Sequence, residues 1–305
     1  MIDVSIIIVS YNTKDLTRNC LQSVLKQTQD IDYEIIVSDN GSKDGSVEMI
    51  KKEFPNVILL ENNANLGFGS ANNRGLKIAK GKYIFYLNSD TVLLNNAIKF
   101  FFDYWENADN KEQIGALGAG LLNERMQEIH SGGPFKDYKY LTKLLLLMYI
   151  RHSLKTLIFI FGLSRFFSHK NVDNTESVPK GETLGFITGA DLFLRNNEYA
   201  KFDEKFFMYC EETDLQLRLQ KNGYRRYIIS EPKIQHLVAS CPKSFTIVTF
   251  SEVCTQNSCI YYSQKNLHKK AIILKILVWI DRLNPLVRKV VRKIPLSYQK
   301  PMKYL

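Results

Sequence analysis

Between residues 4 and 93 the chain alternates short β-branched runs with stretches of helical period, and this alternation limits the folds open to it. Residues 4–10 form an unbroken apolar run rich in isoleucine, which predicts a central strand covered on both faces. Residues 13–27 set Leu16, Cys20, Leu21, Val24 and Leu25 on one helical stripe. A second strand is expected over 33–38, followed by the loop Asp39-Asn40-Gly41-Ser42. Residues 47–54 read as a helix stopped by Pro55, and 57–60 as a third strand. A Gly/Asn loop over 65–69 opens a helix over 70–79, and the strand expected over 83–87 ends in Asn88-Ser89-Asp90. Repeated β-α-β units of this length give a parallel sheet with right-handed crossovers. Ligands of such sheets bind at the carboxyl ends of the strands. Tyr11-Asn12, Asp39-Asn40 and Asn88-Ser89-Asp90 all fall there.

Beyond this repeat the pattern is less regular. A helix is expected over 95–107, a short strand over 114–118, and a loop leading into a strand over 189–195. Residues 203–222 read as one acidic-to-basic helix ended by Asn222-Gly223, with a strand over 227–230 before Pro232 and His236. Residues 141–167 are apolar but punctuated by bases, and 171–181 read as a polar loop.

With 305 residues, 45% of them hydrophobic, the chain can bury a real core, which excludes a disordered, collagen-like or disulfide-stapled protein. The formal charge of +10 is uneven: from Lys265 onward there are eleven Lys and Arg against one acid, Asp281, and the rest of the chain is balanced. A basic groove on the folded body is therefore not expected, and nucleic acid is not an expected partner. A short basic tail suits an anionic membrane surface. The five cysteines, at 20, 210, 241, 254 and 259, form no C-x-x-C pair and read as reduced thiols of a cytosolic protein. The opening run lacks the pattern of a signal peptide. No stretch reaches the roughly 18–20 apolar residues of a spanning helix, since Arg151, His152 and Lys155 interrupt the longest candidate.

Several polar groups could carry chemistry. Asp39 after its strand is either an Asx-turn acid or a carboxylate that accepts the N3–H of uracil or thymine. Asp90 is either a turn residue or a ligand for a hard divalent cation bridging nucleotide phosphates. The Gly/Asn loop from Asn65 is either a plain turn or a close-approach site for an anion, and it lacks both G-x-G-x-x-G and the lysine of a P-loop. Glu211, Glu212 and Asp214 complement a helix dipole, or one of them, in apolar surroundings, acts as a general base. His236 is structural or a ligand.

Together these features resemble family 2 glycosyltransferases of the GT-A fold, in their bacterial rhamnosyltransferase-like branch. The blocks are VSIIIVSYN (4–12), IIVSDNGSKDGS (35–46), NLGFGSANNRGL (65–76), YIFYLNSDTVL (83–93), TGADLFLR (188–195), FDEKFFMYCEETDLQLRLQKNGYR (202–225), and His236 with Ser240. The resemblance covers roughly residues 3–265. It implies an α/β fold with a mostly parallel central sheet flanked by helices, over a domain of residues 1–264. Residues 1–110 would be its nucleotide-binding half and 111–264 its acceptor-binding half, with a basic helical region over 265–305.

The resemblance also implies an inverting transfer of a sugar, with dTDP-rhamnose favoured by the branch, from a UDP- or dTDP-linked donor to a glycan or lipid-linked acceptor in bacterial surface polysaccharide synthesis. Donor contacts would come from Ser10, Tyr11, Asn12, Asp39, Asn40, Asn65, Gly67, Asn73, Asn88, Ser89 and Asp90, and acceptor contacts from Gly189, Ala190 and Asp191. Asp90 with His236 would hold Mg2+ or Mn2+; Asn88 stands at the first D-x-D position, which leaves one carboxylate for the ion. Glu212 would be the base, with Glu211 and Asp214 beside it.

On a helical projection Lys143, Arg151, Lys155 and Arg165 share one arc. After Pro285, Arg288, Lys289, Arg292 and Lys293 oppose Leu286, Val287, Val290, Val291 and Ile294. The second pattern predicts an interfacial helix on the cytoplasmic face of the inner membrane, or else a docked helix or a homodimer contact. Two other functions compete. A sugar nucleotidyltransferase would need a Gly-rich basic loop where Ser10-Tyr11-Asn12-Thr13 stands, and a non-catalytic membrane-associated module would have no use for the acidic cluster.

Overall fold

The structure, a computed structural model, describes residues 1–163, 180–237, 246–268 and 271–293. The first half runs β1 (Val4–Ser10), α1 (Lys14–Gln27), β2 (Tyr33–Asp39), α2 (Ser46–Glu53), β3 (Ile58–Glu61), α3 (Phe68–Leu76), β4 (Tyr83–Asn88), β5 (Thr91–Leu93), α4 (Ala97–Asn107), β6 (Ile114–Leu122) and β7 (Gly132–Gly133). It continues through α5 (Tyr138–Ile160), β8 (Gly181–Thr183), β9 (Phe186–Ile187), β10 (Asp191–Arg195), α6 (Glu211–Lys221), β11 (Arg225–His236), α7 (Phe250–Asn266), α8 (Ile272–Asp281) and α9 (Pro285–Val291). Arg165, Ser240, Cys241, Ile294 and most of the loop expected over 171–181 lie outside the described residues.

The chain divides into two units. The first comprises Met1–Phe135, Asp173–Asp203 and Glu212–Ala239 and contains every described strand. Its main sheet has nine strands in the order β3-β2-β1-β4-β10-β6-β11-β5, with β8 on β11, while β7 and β9 form a separate pair. The β3-β2-β1-β4 half is parallel, as the alternation requires, and β6 pairs β11 in parallel as well. β10 departs from this, entering antiparallel between β4 and β6 and pairing Leu192 with Tyr86, and β5 and β8 also pair β11 antiparallel.

Strand alternation sorts the apolar side chains onto two faces. Ile6, Ile8, Tyr83, Phe85 and Phe193 meet the buried sides of α1, α2 and α4 on one face, where the rings of Phe101 and Phe193 stack with centroids 5.4 Å apart. Ile7, Ile84, Tyr86 and Leu192 meet Leu215 and Leu219 of α6 on the other. Here α3 lies so close to β1 that a Cβ on Gly75 would stand 2.6 Å from Ile7 Cγ2. The expected helix over 203–222 begins only at Glu211. Tyr209 and Cys210 take φ values of 72° and 68°, left-handed conformations that an α-helix cannot contain.

The second unit comprises Lys136–Val172, Glu204–Glu211 and Ser240–Leu305. Its helices have strong local signals: Asp137 caps α5, Thr249 and Glu252 form a capping box on α7, and Asn284 caps α9 with Pro285 in its first turn. A buried polar knot joins α5, α7 and α8. His152 Nδ1 lies 2.9 Å from Asp281 Oδ2, its Nε2 lies 3.4 Å from Glu252 Oε2, and Gln256 donates to Asp281 at 2.6 Å. Of the readings open for α9, the packing of its apolar side fits the docked helix. Val287 is fully buried, and Val290 and Val291 pack with it against a cluster containing Phe207, Val248, Val253 and Cys254. The apolar side of α9 is spent on protein rather than lipid.

Candidate active site

The site is built on the carboxyl ends of β1, β2 and β4 in the first unit. Register places Ser10 beside Asp39 and Val9 beside Asn88, so the loops after the three strands start at one level. Side chains then tie the loops together. Asn12, in the left-handed region at φ 53°, accepts from Lys43 N at 2.8 Å, while its own N–H donates to Ser42 Oγ at 2.9 Å. Asn40 donates through Nδ2 to Gly67 O at 3.2 Å and toward Asn65 Oδ1 at 3.4 Å. Gly67, at φ 84°, turns the chain into α3. Ser89 and Thr13 join through their hydroxyls at 3.2 Å, and Tyr11 stands nearly half exposed above the edge.

Asp39 satisfies its own loop. Oδ1 accepts from the N–H of Gly41 at 3.0 Å and of Ser42 at 2.8 Å, and Oδ2 accepts from Ser42 Oγ at 2.6 Å. An ionised carboxylate has about four lone-pair positions, so the turn leaves roughly one acceptor position over. Asp90 Oδ1 lies 3.2 Å from His236 Nε2, and its carbonyl accepts from Leu237 N at 2.8 Å. Pairing of β5 with β11 puts Thr91 opposite His236 and so delivers that histidine, distant in sequence, to Asp90. Among the described residues no three of His, Cys, Asp or Glu gather as a metal cage. One carboxylate and one imidazole would supply only part of the ligand set of a divalent cation.

β10 links this edge to the acidic helix. Asn88 N donates to Ala190 O at 2.9 Å, and a Cβ on the adjoining Gly189 would stand 3.5 Å from Glu212 Cβ and 3.6 Å from Phe68 Cε1. Gln216 fixes the start of α6 by bonding both the N–H (2.8 Å) and the carbonyl (2.7 Å) of Ile187. Asp39, Asp90, His236 and Glu212 are thereby brought to one edge of one sheet. The three acids of the helix differ in burial. Glu211 is 3% exposed and Asp214 fully buried with Arg218 Nε 3.5 Å away, whereas Glu212 reaches solvent.

Two of the expected contacts are engaged by backbone groups of the protein itself. Asn73 is 2% exposed, and its amide both donates to and accepts from the backbone of Phe202 at 2.9 Å, which braces α3. Asp191 is fully buried in β10, where its Oδ2 accepts from Ala119 N at 2.6 Å beyond the last paired residues of β10 and β6. Burial pushes its carboxyl well above the usual range. Its carboxyl group ties β10 to the backbone of β6. Sequence reasoning did not single out Gln216, although an amide one turn after Glu212, on the same side of the helix, was its signal.

Residues 5–144 match the sequence pattern of "Glycosyl transferase family 2". Over 145 residues the chain is 32% identical to a poly(ribitol-phosphate) beta-glucosyltransferase of Bacillus spizizenii, a match covering 45% of this chain and 23% of that protein. Over 112 residues it is 40% identical to the UDP-Glc:alpha-D-GlcNAc-diphosphoundecaprenol beta-1,3-glucosyltransferase of Escherichia coli, covering 33% of this chain and 44% of that one. The chain thus spans less than half the length of these curated relatives. Among solved structures, a mannosyltransferase of Pyrobaculum calidifontis, in complex with GDP-Man and Mn2+, superposes with a TM-score of 0.55 at 13% identity, over 97% of this chain and 77% of that one. The chain has the GT-A fold and carries, over residues 5–144, the sequence pattern of glycosyl transferase family 2.

Proposed function

We propose that this protein is an inverting glycosyltransferase that moves a hexosyl group from a nucleoside diphosphate-sugar to a hydroxyl of a glycan or lipid-linked acceptor in bacterial surface polysaccharide synthesis. The observation that carries this reading is the placing of Glu212, the solvent-reaching acid of its cluster, at the sheet edge that holds Asp39, Asp90 and His236. Asp39 receives the pyrimidine N3–H of a UDP or dTDP donor through its remaining acceptor position, while the tied loops of Asn12, Asn40 and Gly67 hold the nucleotide's surroundings rigid. Glucose, named in both curated relatives, and rhamnose, suggested by the sequence blocks, are the candidate sugars.

Asp90 and His236 are the residues that would hold a divalent cation, which when bound stabilises negative charge on the departing diphosphate. Glu212 removes the proton of the acceptor hydroxyl, whose oxygen attacks the anomeric carbon opposite the diphosphate. One displacement inverts the configuration, and no second carboxylate is needed as nucleophile. A lipid-linked acceptor places the reaction at the cytoplasmic face of the membrane.

Glu212→Gln keeps the shape of the side chain and removes the base. Transfer should fall by roughly 10²–10⁴-fold, with nucleotide affinity by calorimetry unchanged. A variant that retains most of its turnover would place the base elsewhere. Wild-type protein that binds UDP but never transfers or hydrolyses the sugar would make it a binding module.

A further inference from the structure

The second unit carries part of its polarity inside out. α8 buries Lys275 and Asp281 along with Leu274 and Val278, and turns Ile272, Ile273, Ile276 and Trp279 outward with 43–52% of their surface exposed. A surface helix of a globular protein does the reverse. Asp281 faces His152 and Gln256, and Arg282 donates to Asn257 at 2.6 Å, so the polar groups of this helix are consumed within the protein. On α5, which packs against α8, and at its C-cap, the residues Leu147, Ile150, Leu154, Leu157 and Phe161 recur at helical spacing and are each at least half exposed. Single exposed leucines are ordinary, but two packed helices presenting such stripes form a patch of the kind that marks an interaction surface.

Charge identifies the occupant. The one acid after Lys265 is the buried Asp281, so the exposed bases Arg288, Lys289, Arg292 and Lys293 of the following turns face solvent with no acid of that region beside them. Arg288 Nε donates to Arg282 O at 3.3 Å, which holds this basic helix close against the end of α8. A second copy of the chain docked face to face would bring these like charges together. An anionic leaflet would attract them. Trp279 has the amphipathic ring that favours the headgroup level of a bilayer. No described helix is long and apolar enough to cross a membrane, so a helix lying in the interface is the geometry available.

We propose that the outward faces of α5 and α8 insert among the headgroups of an anionic lipid bilayer, with the bases of α9 at the phosphates. This goes beyond the transfer reaction and does not depend on it. The full chain would be sedimented with phosphatidylglycerol-containing vesicles and with phosphatidylcholine vesicles. Of its two tryptophans, Trp105 is fully buried in the first unit, so Trp105→Phe leaves Trp279 as the sole reporter.

Binding to the anionic vesicles, a blue shift of Trp279 and its quenching by brominated lipid are expected, all weakened by high salt. The double variant Ile276→Glu/Trp279→Glu should partition at least about tenfold less, with its circular dichroism and its hydrolysis of donor in solution unchanged. Unshifted Trp279 fluorescence, or wild-type vesicle binding by the double variant, would overturn the proposal. So would a dimer, seen by light scattering, that the same substitutions split, because the face would then belong to a second copy. Turnover is measured separately on a soluble acceptor, so failure of lipid binding and failure of the transfer reading are distinguished.

Discussion

The buried knot around His152 makes the stability of the helical unit depend on pH in a direction the structure dictates. Burial opposes a charged imidazole, but the carboxylates of Asp281 and Glu252 outweigh it and raise the His152 pKa from 6.5 to about 8. A group whose folded pKa is raised contributes stability that is fully present below its unfolded pKa and is lost as the pH climbs through the folded one. The shift therefore corresponds to about 2 kcal/mol, present below pH 6.5 and gone once the pH has passed well above 8. For Glu252 burial alone would raise the pKa, yet hydrogen bonds from His152 and Thr249 N bring it down to about 2. Its share is present above pH 4.5 and is lost as the pH falls through about 2. The two shifts describe one interaction from both ends and are not added.

Urea unfolding at a series of pH values, read through Trp279 in the Trp105→Phe background, measures this, because Trp279 sits on α8, the helix that contributes Asp281 to the knot. The wild-type unfolding free energy should drop by about 2 kcal/mol between about pH 6 and pH 9. The drop should vanish in His152→Gln, which cannot be charged. His152→Leu should cost more, about 3–5 kcal/mol, since Asp281 stays buried without its cation. An equal slope in wild type and His152→Gln would refute the reasoning.

Two further outcomes test the first unit. Asn73→Leu strips the backbone N–H and carbonyl of Phe202 of their buried partner and should destabilise the protein by about 1–3 kcal/mol per orphaned group in urea melts; a loss of UDP affinity without a loss of stability would place Asn73 in the donor site. Gly189→Ala should be tolerated, because its Cβ would meet Glu212 at an ordinary contact distance of 3.5 Å, whereas the added methyls of Gly189→Val press on Glu212 and Phe68. Transfer by the valine variant should fall by about 10²-fold with UDP binding intact, and unaltered kinetics would dissociate Gly189 from the acid.

What could be read in the sequence is what local period controls. β1 to β4 and the helices between them follow from unbroken apolar runs and 3.6-residue stripes, and their loops fall where the sheet edge proves to be. β5, β7, β8 and β9 span two or three residues each, too short to show a period of two. The antiparallel entry of β10 depends on pairing across about a hundred residues, which no local pattern encodes. The same holds for α9, whose amphipathic stripe is equally good for lipid and for the cluster around Val253 that it covers. Amphipathicity states that a face must be buried and not against what.

The acidic cluster shows where residue type stops being informative and burial takes over. Glu211, Glu212 and Asp214 are interchangeable on paper, since any carboxylate at the start of a helix complements its dipole. A base that must meet an acceptor hydroxyl has to reach the cleft, and Glu211 and Asp214 are closed off by packing while Glu212 is not. In the phase that α6 takes from its start after the left-handed Tyr209 and Cys210, Glu211 and Asp214 turn inward and Glu212 does not. Gln216 then locks that phase against Ile187. Removing this lock with Gln216→Leu should lower transfer, and it should do so through kcat rather than through nucleotide affinity, because Gln216 bonds the backbone of Ile187 and Glu212 whereas Asp39 and Asn40 are held by Ser42 and Gly67.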